Sequence, residues 1–397
     1  MEDLAPTLVT LGLLLLVGLA TEAIGRRSAL PRVTLLLLFG LAIGPSGIDL
    51  LPDVHQRWFP LVTHVALGMV GFLLGNSLSA ANLRRYGRAV LWVSLGAVLT
   101  TAAVVGAGMV ALGEPLAVAL VFAGIATSTA PAATLDVVRE AGAKGPFTET
   151  LLGVVAVDDA FGLVVFSLLL AIASLLDGSG DGHIVVGRHA WEIGGALLTG
   201  ALLGLPMAYL SGRVRPGEPS LFEALGGVLL CSGLCAWLDV SYLIGCMTLG
   251  AVVTNTARHH TRPFHAIENV HGPFLILFFV LAGAALSLEA LSGVALVLPA
   301  YVVLRAVGRL LGGWLGGAAA GWSGRLRGAM GVALMPQAGV ALGMTLVACE
   351  RLPDLRDVVL PVAIASTVAF ELGGPVLTRL ALTAVGEARD YRSADAG

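Results

Sequence analysis

Two adjacent aspartates, Asp158 and Asp159, lie within the apolar stretch GVVAVDDAFGLVVFSLLLAIASLL at residues 153–176. A charge at the centre of a bilayer costs at least about 2.5–3.5 kcal/mol, and two charges of the same sign also repel each other. Carboxylates kept in a membrane span at this cost indicate a function such as binding a cation or a proton. Because neighbouring residues on a helix point about 100° apart, the two carboxylates cannot face one ligand equally. We expect one carboxylate to bind the ion and the other to contact a cationic side chain.

Two arginines are candidates for the cationic partner. Arg305 and Arg309 lie in the segment LRAVGRLLGGWLGG, too central in their predicted span to reach a membrane surface easily. A buried guanidinium needs a carboxylate as much as a buried carboxylate needs a cation. Extension toward a membrane surface is the alternative for these arginines, and the sequence alone does not decide which of them pairs with Asp158.

Two predicted spans are interrupted by proline, which removes a backbone donor and clashes with the preceding helical turn. In VFAGIATSTAPAATLDVV, the hydroxyl residues Thr127, Ser128 and Thr129 precede Pro131; in GAMGVALMPQAGVALGMTLV, Pro336 and Gln337 are central. The span after the first interruption contains Asp158 and Asp159, and the span after the second contains Glu371 in the segment FELGGP. Interrupted segments at corresponding positions of two halves indicate the binding site of a transporter.

Broken helices supply the ligands that a monovalent cation needs. Each break leaves carbonyl groups without helical partners and brings helix ends with opposite partial charges close together. These carbonyl groups and the hydroxyls of Thr127, Ser128 and Thr129 are neutral oxygen ligands, and Asp159 can supply the negative charge. The sequence therefore predicts a site for Na⁺ or K⁺ at the crossing of the two breaks.

Apolar segments recur along the whole chain. Of the 397 residues, 57% are hydrophobic and 12% are charged, against about 25% charged residues in a typical soluble domain. The apolar runs have the ~20-residue length that crosses a bilayer, and their continuous rather than alternating pattern predicts helices instead of a barrel. We predict an all-α polytopic membrane protein with thirteen transmembrane helices, at about 6–25, 30–46, 59–79, 88–112, 115–138, 147–176, 190–211, 220–238, 241–257, 272–289, 293–320, 328–349 and 357–384.

Basic residues predict the orientation of these helices, because cytoplasmic loops carry an excess of lysine and arginine. With the N-terminus outside, 17 of the 23 basic residues fall in cytoplasmic loops or the tail and 4 in external loops; the other two are Arg305 and Arg309. We predict a multi-pass protein of the inner (plasma) membrane with a cytoplasmic C-terminus. A single transmembrane domain at 1–385 precedes a short cytoplasmic tail at 386–397.

Weak internal similarity links the two halves. The second span, VTLLLLFGLAIG, resembles the ninth, YLIGCMTLGAVV, and the two interrupted spans are the fifth and the twelfth. Pairing spans two to six with spans nine to thirteen displaces the copy by seven helices. Since seven is odd, the repeats are inverted in the membrane, and the two interrupted helices are expected to cross.

The chain resembles the bacterial cation:proton antiporters related to NapA, NhaA and the Kef potassium systems. The resemblance runs over nearly the whole chain and rests on RRSALPRVTLLLLFGLAIGPSGI, FLLGNSLS, TSTAPAATLDVVREAGAKGPFTETLLGVVAVDDAFG, FFVLAGAAL, VGRLLGGWLG and FELGGPVLTRLAL. The most specific of these features is VDD followed by a glycine-containing helix, downstream of a proline-interrupted Ser/Thr segment.

The resemblance implies a homodimer of thirteen-helix subunits that exchanges Na⁺, Li⁺ or K⁺ for H⁺ by an elevator-type motion and serves pH homeostasis. It implies a dimerisation part at about 1–80 and 190–290 and a moving core at about 88–176 and 293–385. By this resemblance Asp159 is the carboxylate that binds cation and proton, Asp158 pairs with a basic residue, and Thr129 contributes near the ion. Arg309 falls where the basic partner is expected.

The sequence departs from well-studied electrogenic members of the family at the basic partner, where they have lysine and this chain has arginine. A buried lysine can lose its proton, whereas arginine effectively cannot. We therefore hypothesise that Arg309 keeps Asp158 ionised while Asp159 cycles between proton and cation, which predicts electroneutral exchange. A second departure is Ala130, where some relatives carry an acid directly after the threonine.

Other readings of these patterns remain open from the sequence. The alternatives are a K⁺/H⁺ exchanger of the Kef type, a sodium-coupled organic-solute symporter of related fold and an ion channel. An intramembrane aspartyl protease is disfavoured because its two aspartates face each other from different helices. We expect no enzymatic activity, no cofactor and no nucleic-acid partner; the ligands are cation, proton and lipid bilayer. The four cysteines are interpreted as packing residues, and His259, His260, His265 and His271 as members of a solvated loop.

Overall fold

The computed structural model describes residues 4–25, 32–50, 55–177, 182–210, 221–257, 261–286, 289 and 293–388. Within these ranges the protein is all-helical, with fifteen α-helices, one short 3-10 helix and no β-strand, which confirms the predicted fold class. In chain order the α-helices are α1 (Leu4–Gly25), α2 (Arg32–Ile43), α3 (His55–Ser77), α4 (Ala80–Ala111), α5 (Leu116–Ile125), α6 (Pro131–Glu140), α7 (Pro146–Asp177), α8 (Gly182–Leu210), α9 (Leu221–Trp237), α10 (Tyr242–Thr256), α11 (Thr261–Ala284), α12 (Val297–Ala319), α13 (Gly324–Ala333), α14 (Gly339–Arg351) and α15 (Arg356–Val385).

Seven helices in the described ranges are long and apolar enough to cross a membrane. Five shorter apolar helices, including α5, α9 and α10, accompany them. The protein is therefore a multi-pass membrane protein, while the count of thirteen spans stays a prediction. Both predicted interruptions are present: α5 and α6 are the halves of one broken segment, and α13 and α14 are the halves of the other.

The chain forms two compact units. Unit 1 contains residues 1–80 and 178–289, and unit 2 contains residues 81–177 and 290–397. Both broken segments belong to unit 2, together with α7 and α12. The assignment of one part of the chain to dimerisation and the other to transport stays a prediction.

Glycines bring the helices of unit 1 into close contact. A methyl group added to Gly283 on α11 would collide with the Leu37 carbonyl oxygen on α2, and one added to Gly250 on α10 would collide with the Phe72 carbonyl oxygen on α3. Such contacts require residues without a Cβ, because lipid supplies no hydrophobic force between helices and close packing replaces it.

Glycines also join α12 to its neighbours in unit 2. A methyl group at Gly308 would lie 2.8 Å from the Thr101 Cα on α4, and one at Gly312 would lie 2.7 Å from the Ala97 Cα. On another face of α12, a methyl group at Gly313 would lie 2.5 Å from the Gly331 Cα on α13. Glycines on two faces of α12 thus allow it to pack closely against α4 and against α13, the first half of the second broken segment.

One predicted loop is wrong. His265 and His271 were expected in a solvated loop before a span that begins at 272, but α11 begins at Thr261 and includes both histidines. The segment TRPFHAIENVHG is polar enough to lack a membrane signal, yet Pro263 lies in the first turn of the helix, where proline is tolerated. His265 is exposed, and its Nδ1 lies 3.1 Å from Glu268 Oε2. His259 and His260 lie outside the described residues.

Candidate cation site

The first break separates α5 from α6. Helix α5 ends at Ile125, and α6 begins with Pro131, which has no backbone N–H to continue a helix. The Thr127 hydroxyl donates to the Gly124 carbonyl oxygen at 2.7 Å, and the Ser128 hydroxyl donates to the Ile125 carbonyl oxygen at 3.2 Å. These two hydroxyls therefore satisfy carbonyl oxygens in the last turn of α5.

Asp159 lies on α7 and contacts this break. Its Oδ1 accepts a hydrogen bond from the Thr129 backbone N–H at 2.9 Å, and the Thr129 hydroxyl lies 3.5 Å from the same oxygen. The Asp159 side chain is buried. Of the three predicted hydroxyl residues, Thr129 is the one for which the structure shows a hydrogen bond to Asp159. The break thus presents an amide donor to the carboxylate.

Asp158 lies one residue earlier and forms an ion pair with Arg309. Arg309 Nη1 lies 2.8 Å from Asp158 Oδ2, and both side chains are fully buried. Arg309 Nη2 also donates to the carbonyl oxygens of Thr127 and, at 2.9 Å, of Ser128. Between the two arginines that the sequence left open, Arg309 is therefore the one that contacts Asp158. Arg309 thereby joins α7, which carries the two aspartates, to the carbonyl groups of the first break.

Arg305 links the two breaks to each other. Its Nη2 donates to the Ser128 carbonyl oxygen at 2.8 Å, and its Nη1 donates to the Met335 carbonyl oxygen at 3.0 Å. The guanidinium carbon lies 4.2 Å from the centre of the Phe370 ring, a cation–π contact. Arg305 lies one turn before Arg309 on α12 and is also fully buried. A single side chain thus satisfies carbonyl groups from both interrupted segments.

The second break contacts the first through Gln337. Helix α13 ends at Ala333 and α14 begins at Gly339, so Pro336 and Gln337 lie between the two halves. Gln337 Nε2 lies 3.3 Å from the Ile125 carbonyl oxygen and 3.3 Å from Ser128 Oγ. The two breaks therefore share hydrogen bonds as well as the Arg305 bridge.

Helix α15 packs on the second break. A methyl group at Gly374 would lie 2.5 Å from the Pro336 Cα, and the Thr378 hydroxyl donates to the Ala333 carbonyl oxygen at 3.0 Å. Glu371 is buried on α15, next to the Phe370 ring that covers Arg305. The structure places the predicted residue Glu371 on the helix that supports the second break.

Two aspartates and two arginines form the charged centre of the site, and Glu371 is a further buried acid on α15. Asp158 and Asp159 carry two negative charges and Arg305 and Arg309 carry two positive charges, and all four side chains are buried. Arg309 is neutralised by its direct pairing with Asp158. Arg305 contacts carbonyl groups that follow α5 and α13, and the C-terminal end of a helix carries a partial charge of about −0.5. These two helix ends therefore complement the positive charge of Arg305.

Sequence reasoning missed three residues around these breaks. Phe370 and Gly374 lie in the predicted Glu371 segment, but nothing in the sequence indicates a ring over Arg305 or a glycine against Pro336. A methyl group at Gly162 on α7 would lie 2.7 Å from Thr127 Oγ1. Gly162 lies one turn after Asp158 on the same face of α7, and this spacing was the signal in the sequence that could have indicated the contact with Thr127.

The fold and this buried charge cluster define a class of membrane transporter with two broken helices, and comparison with known proteins agrees. A profile of the family described as "Sodium/hydrogen exchanger, transmembrane" matches residues 11–382, so the chain belongs to the sodium/hydrogen exchanger family. It is accordingly a cation:proton antiporter and not an enzyme.

Two relatives illustrate the similarity. The ammonium/H(+) antiporter subunit AmhT of Alkalihalophilus pseudofirmus is 23% identical over 318 residues, which are 78% of this chain and 80% of that protein. The solved structure of the sodium proton antiporter MjNhaP1 of Methanocaldococcus jannaschii at pH 8 matches with a TM-score of 0.72 and 22% identity over 97% of each chain. At this identity the second match establishes the fold.

Proposed function

We propose that the protein exchanges one monovalent cation for one proton by competition at Asp159. The observation that carries this proposal is the different environment of the two adjacent carboxylates. Asp158 is paired with Arg309, whereas Asp159 contacts the Thr129 amide and has no ion pair in the described part of the chain. A carboxylate without a fixed counter-charge can bind either a proton or a cation.

Arg309 restricts the titrating group to one carboxylate. Because a guanidinium stays protonated in proteins, Asp158 keeps a positive partner 2.8 Å away throughout the cycle. Its negative charge is therefore neutralised whether or not a ligand is bound. Asp159 alone accepts the proton at low pH and the cation at higher pH. The arginine thus supports a stoichiometry of one proton for one cation.

The charge of the site supports electroneutral exchange. Without a ligand, the two aspartates and two arginines sum to zero charge. Binding of either a proton or a monovalent cation adds one positive charge, so the two loaded forms carry the same charge. One inward and one outward step with different ligands then move no net charge across the membrane.

An elevator-type motion is supported by the location of the site. Asp158, Asp159, Arg305 and Arg309 all belong to unit 2, as do both broken segments. The bridges made by Arg305 and Gln337 connect the two breaks within that unit. The whole site can therefore move as one body, carrying a bound proton or cation. The homodimer, the inner-membrane location and the cytoplasmic C-terminus remain parts of the same proposal.

We propose Na⁺ as the first cation to test, with Li⁺ and K⁺ as alternatives. The family description supports sodium, while the resemblance to Kef systems supports potassium. Ammonium is a further candidate, because the relative AmhT is named as a subunit of an ammonium/H⁺ antiporter. The Asp159 carboxylate and the Thr129 hydroxyl beside it offer oxygen atoms to each of these ions.

Purified protein in liposomes with an internal pH dye tests the proposal. Addition of external Na⁺ or K⁺ to acid-loaded vesicles should raise the internal pH, because protons leave as cations enter. Ammonium is tested as a competitor of radioactive Na⁺ uptake, since ammonia crosses the bilayer by itself. A sodium-coupled symporter would take up Na⁺ without this pH change.

Asp159→Asn should abolish exchange while the protein stays folded, since an amide binds neither a proton nor a cation with the same affinity. The matched control is Asp136→Asn on α6, which neutralises an exposed aspartate of the same unit and should exchange like the wild type. Thermal unfolding of both variants checks their folding. Exchange retained by Asp159→Asn would contradict the assignment of the carboxylate.

A further inference from the structure

The N-terminus of α7, the helix that carries Asp158 and Asp159, is capped by a residue from the other end of the chain. The first backbone N–H groups of a helix have no helical partner and are usually satisfied by a side chain just before the helix. Here Gly145 and Pro146 occupy that position, and neither has a side chain that can accept a hydrogen bond. The cap must come from elsewhere.

Glu387 supplies this cap. Its Oε1 accepts a hydrogen bond from the Phe147 backbone N–H at 3.0 Å, and its Oε2 accepts from the Thr148 backbone N–H at 2.8 Å. The same Oε2 accepts from the Thr148 hydroxyl at 2.7 Å. The Glu387 carbonyl oxygen accepts from the Lys144 backbone N–H at 3.2 Å. Three hydrogen bonds therefore join Glu387 to the first turn of α7 and a fourth joins it to Lys144 just before the helix. The carboxylate also complements the positive end of the helix.

The local sequence reserves space for this carboxylate. Gly145 has φ = +151°, a conformation that residues with a side chain rarely adopt, and a methyl group there would lie 2.6 Å from Glu387 Oε2. Glycine at position 145 therefore permits both the turn into α7 and the approach of Glu387.

Glu387 is itself held in place. Gly386, in the left-handed conformation, ends α15, and the Glu387 backbone N–H donates to the Leu382 carbonyl oxygen at 3.1 Å. Ala388 packs against the buried apolar cluster that contains Phe147. Arg325, at the start of α13, donates to the Ala384 carbonyl oxygen. The segment 384–388 thus connects the start of the acidic helix to the first half of the second broken segment.

We propose that Glu387 is a positioning residue for the cation site. A helix transmits a rotation or a shift of its first turn along its axis, and Asp158 is about 18 Å from the start of α7 at 1.5 Å per residue. Asp158 must face Arg309 while Asp159 faces Thr129. A rotation of α7 about its axis would disrupt both contacts at once. By fixing the first turn, Glu387 fixes the direction of both carboxylates. The inference rests on the proposed function for its effect on exchange, but not for its effect on α7.

Hydrogen–deuterium exchange of Glu387→Gln in lipid nanodiscs tests the inference without a transport assay. The glutamine amide nitrogen cannot accept the hydrogen bonds made to Oε2, so the cap is weakened. We expect faster amide exchange in the first turn of α7 and also in the peptide that contains Asp158 and Asp159. The matched control, Glu149→Gln, removes an exposed negative charge from the same turn and should change neither peptide.

Exchange in liposomes provides the second measurement. We expect Glu387→Gln to raise the apparent KM for the cation roughly threefold to tenfold, the factor that corresponds to loss of a helix cap. Thr148→Val should act in the same direction but more weakly, and the double variant Thr148→Val/Glu387→Ala should be no worse than Glu387→Ala alone, because the Thr148 hydroxyl donates to the Glu387 carboxylate.

Two outcomes would overturn the inference. One is faster amide exchange confined to the first turn of α7 together with an unchanged apparent KM, which would make Glu387 a local cap only. The other is full additivity of the two substitutions, which would show that they act on different contacts. If the wild type itself exchanges no cation, the proposed function fails, while the amide exchange of α7 still decides whether Glu387 holds the helix.

Discussion

At the scale of single residues, the site depends on a difference between two neighbours of the same type. Asp158 is held by Arg309 at 2.8 Å, and Asp159 is held by one backbone amide of the first break. Burial makes an unpaired charge costly, so the paired and the unpaired carboxylate have different roles. Arg305 donates to carbonyl oxygens and contacts the face of the Phe370 ring. Among the residues that the structure describes, no hydrogen bond joins Arg305 to either aspartate, so Asp158 and Asp159 keep their different environments.

Arg309→Met should destabilise the protein by about 3–5 kcal/mol, because it leaves Asp158 charged and buried without a partner. Thermal unfolding in detergent measures the loss as a lower midpoint. Replacing the acid as well, in Asp158→Asn/Arg309→Met, should recover part of the stability since the unpaired charge is gone. Arg139→Met, at an exposed position on α6, is the control and should leave the midpoint unchanged. An equal loss in the single and double variants would contradict the pairing argument.

The residue types of this cluster could be predicted from the sequence, but their pairing could not. Two acids and two arginines in apolar spans must be neutralised somewhere, and this requirement identified Asp158, Asp159, Arg305 and Arg309. Arg305 and Arg309 lie one turn apart on the same helical face, so periodicity does not separate them. The difference arises from the three-dimensional position of carbonyl groups that no sequence pattern encodes.

At the scale of helices, the two breaks depend on close contacts made by neighbouring elements. Proline explains why α6 begins at Pro131 and why α13 cannot continue through Pro336. The Pro336 break is supported by Gly374 on α15, where there is no room for a Cβ. Proline thus determines that each segment is interrupted, and small residues on other helices determine where the interrupted ends lie.

Gly374→Ala should destabilise the protein by about 1–3 kcal/mol through overpacking against Pro336 and should also reduce exchange. The adjacent Gly373→Ala is a matched control, because a methyl group there meets no atom within 4 Å. Unfolding midpoints and initial exchange rates of the two variants provide the comparison. Equal behaviour of the two alanine variants would contradict the close contact between α15 and the second break.

Helix positions were predictable where apolar runs are long, and less so where polar residues continue a helix beyond the membrane signal. The interruptions follow from proline within apolar spans, whereas the start of α11 at Thr261 was missed because its first turns are polar. Hydropathy detects the lipid-exposed part of a helix, while helical hydrogen bonds extend into polar sequence as well.

At the scale of the whole molecule, the separation of the chain into two units keeps the entire charge cluster in one of them. A site whose two loaded forms carry the same charge moves no net charge across the membrane in a complete cycle. The cap at Glu387 lies in the same unit and connects residues 240 positions apart. No local pattern predicts such a contact, because a glutamate after a helix is an ordinary solvated residue by sequence alone.

An imposed membrane potential should not drive uphill Na⁺ movement, because one cation and one proton move in opposite directions in each complete cycle. Proteoliposomes with a potassium gradient and valinomycin, assayed for radioactive Na⁺ uptake, provide the measurement. Vesicles with the same potassium gradient but without valinomycin develop no such potential and serve as the control. Uphill Na⁺ accumulation driven by the potential would contradict the assignment of Arg309 as a permanently charged partner.

The pH dependence of the apparent KM for the cation tests the central claim most directly, since proton and cation compete for Asp159. With equal pH on both sides of the vesicle, lowering the pH should raise the apparent KM, approaching tenfold per pH unit once the carboxylate is mostly protonated. The maximal rate at saturating cation should change much less over the same range. An apparent KM that stays constant while the pH falls, with only the maximal rate decreasing, would contradict competition at one carboxylate.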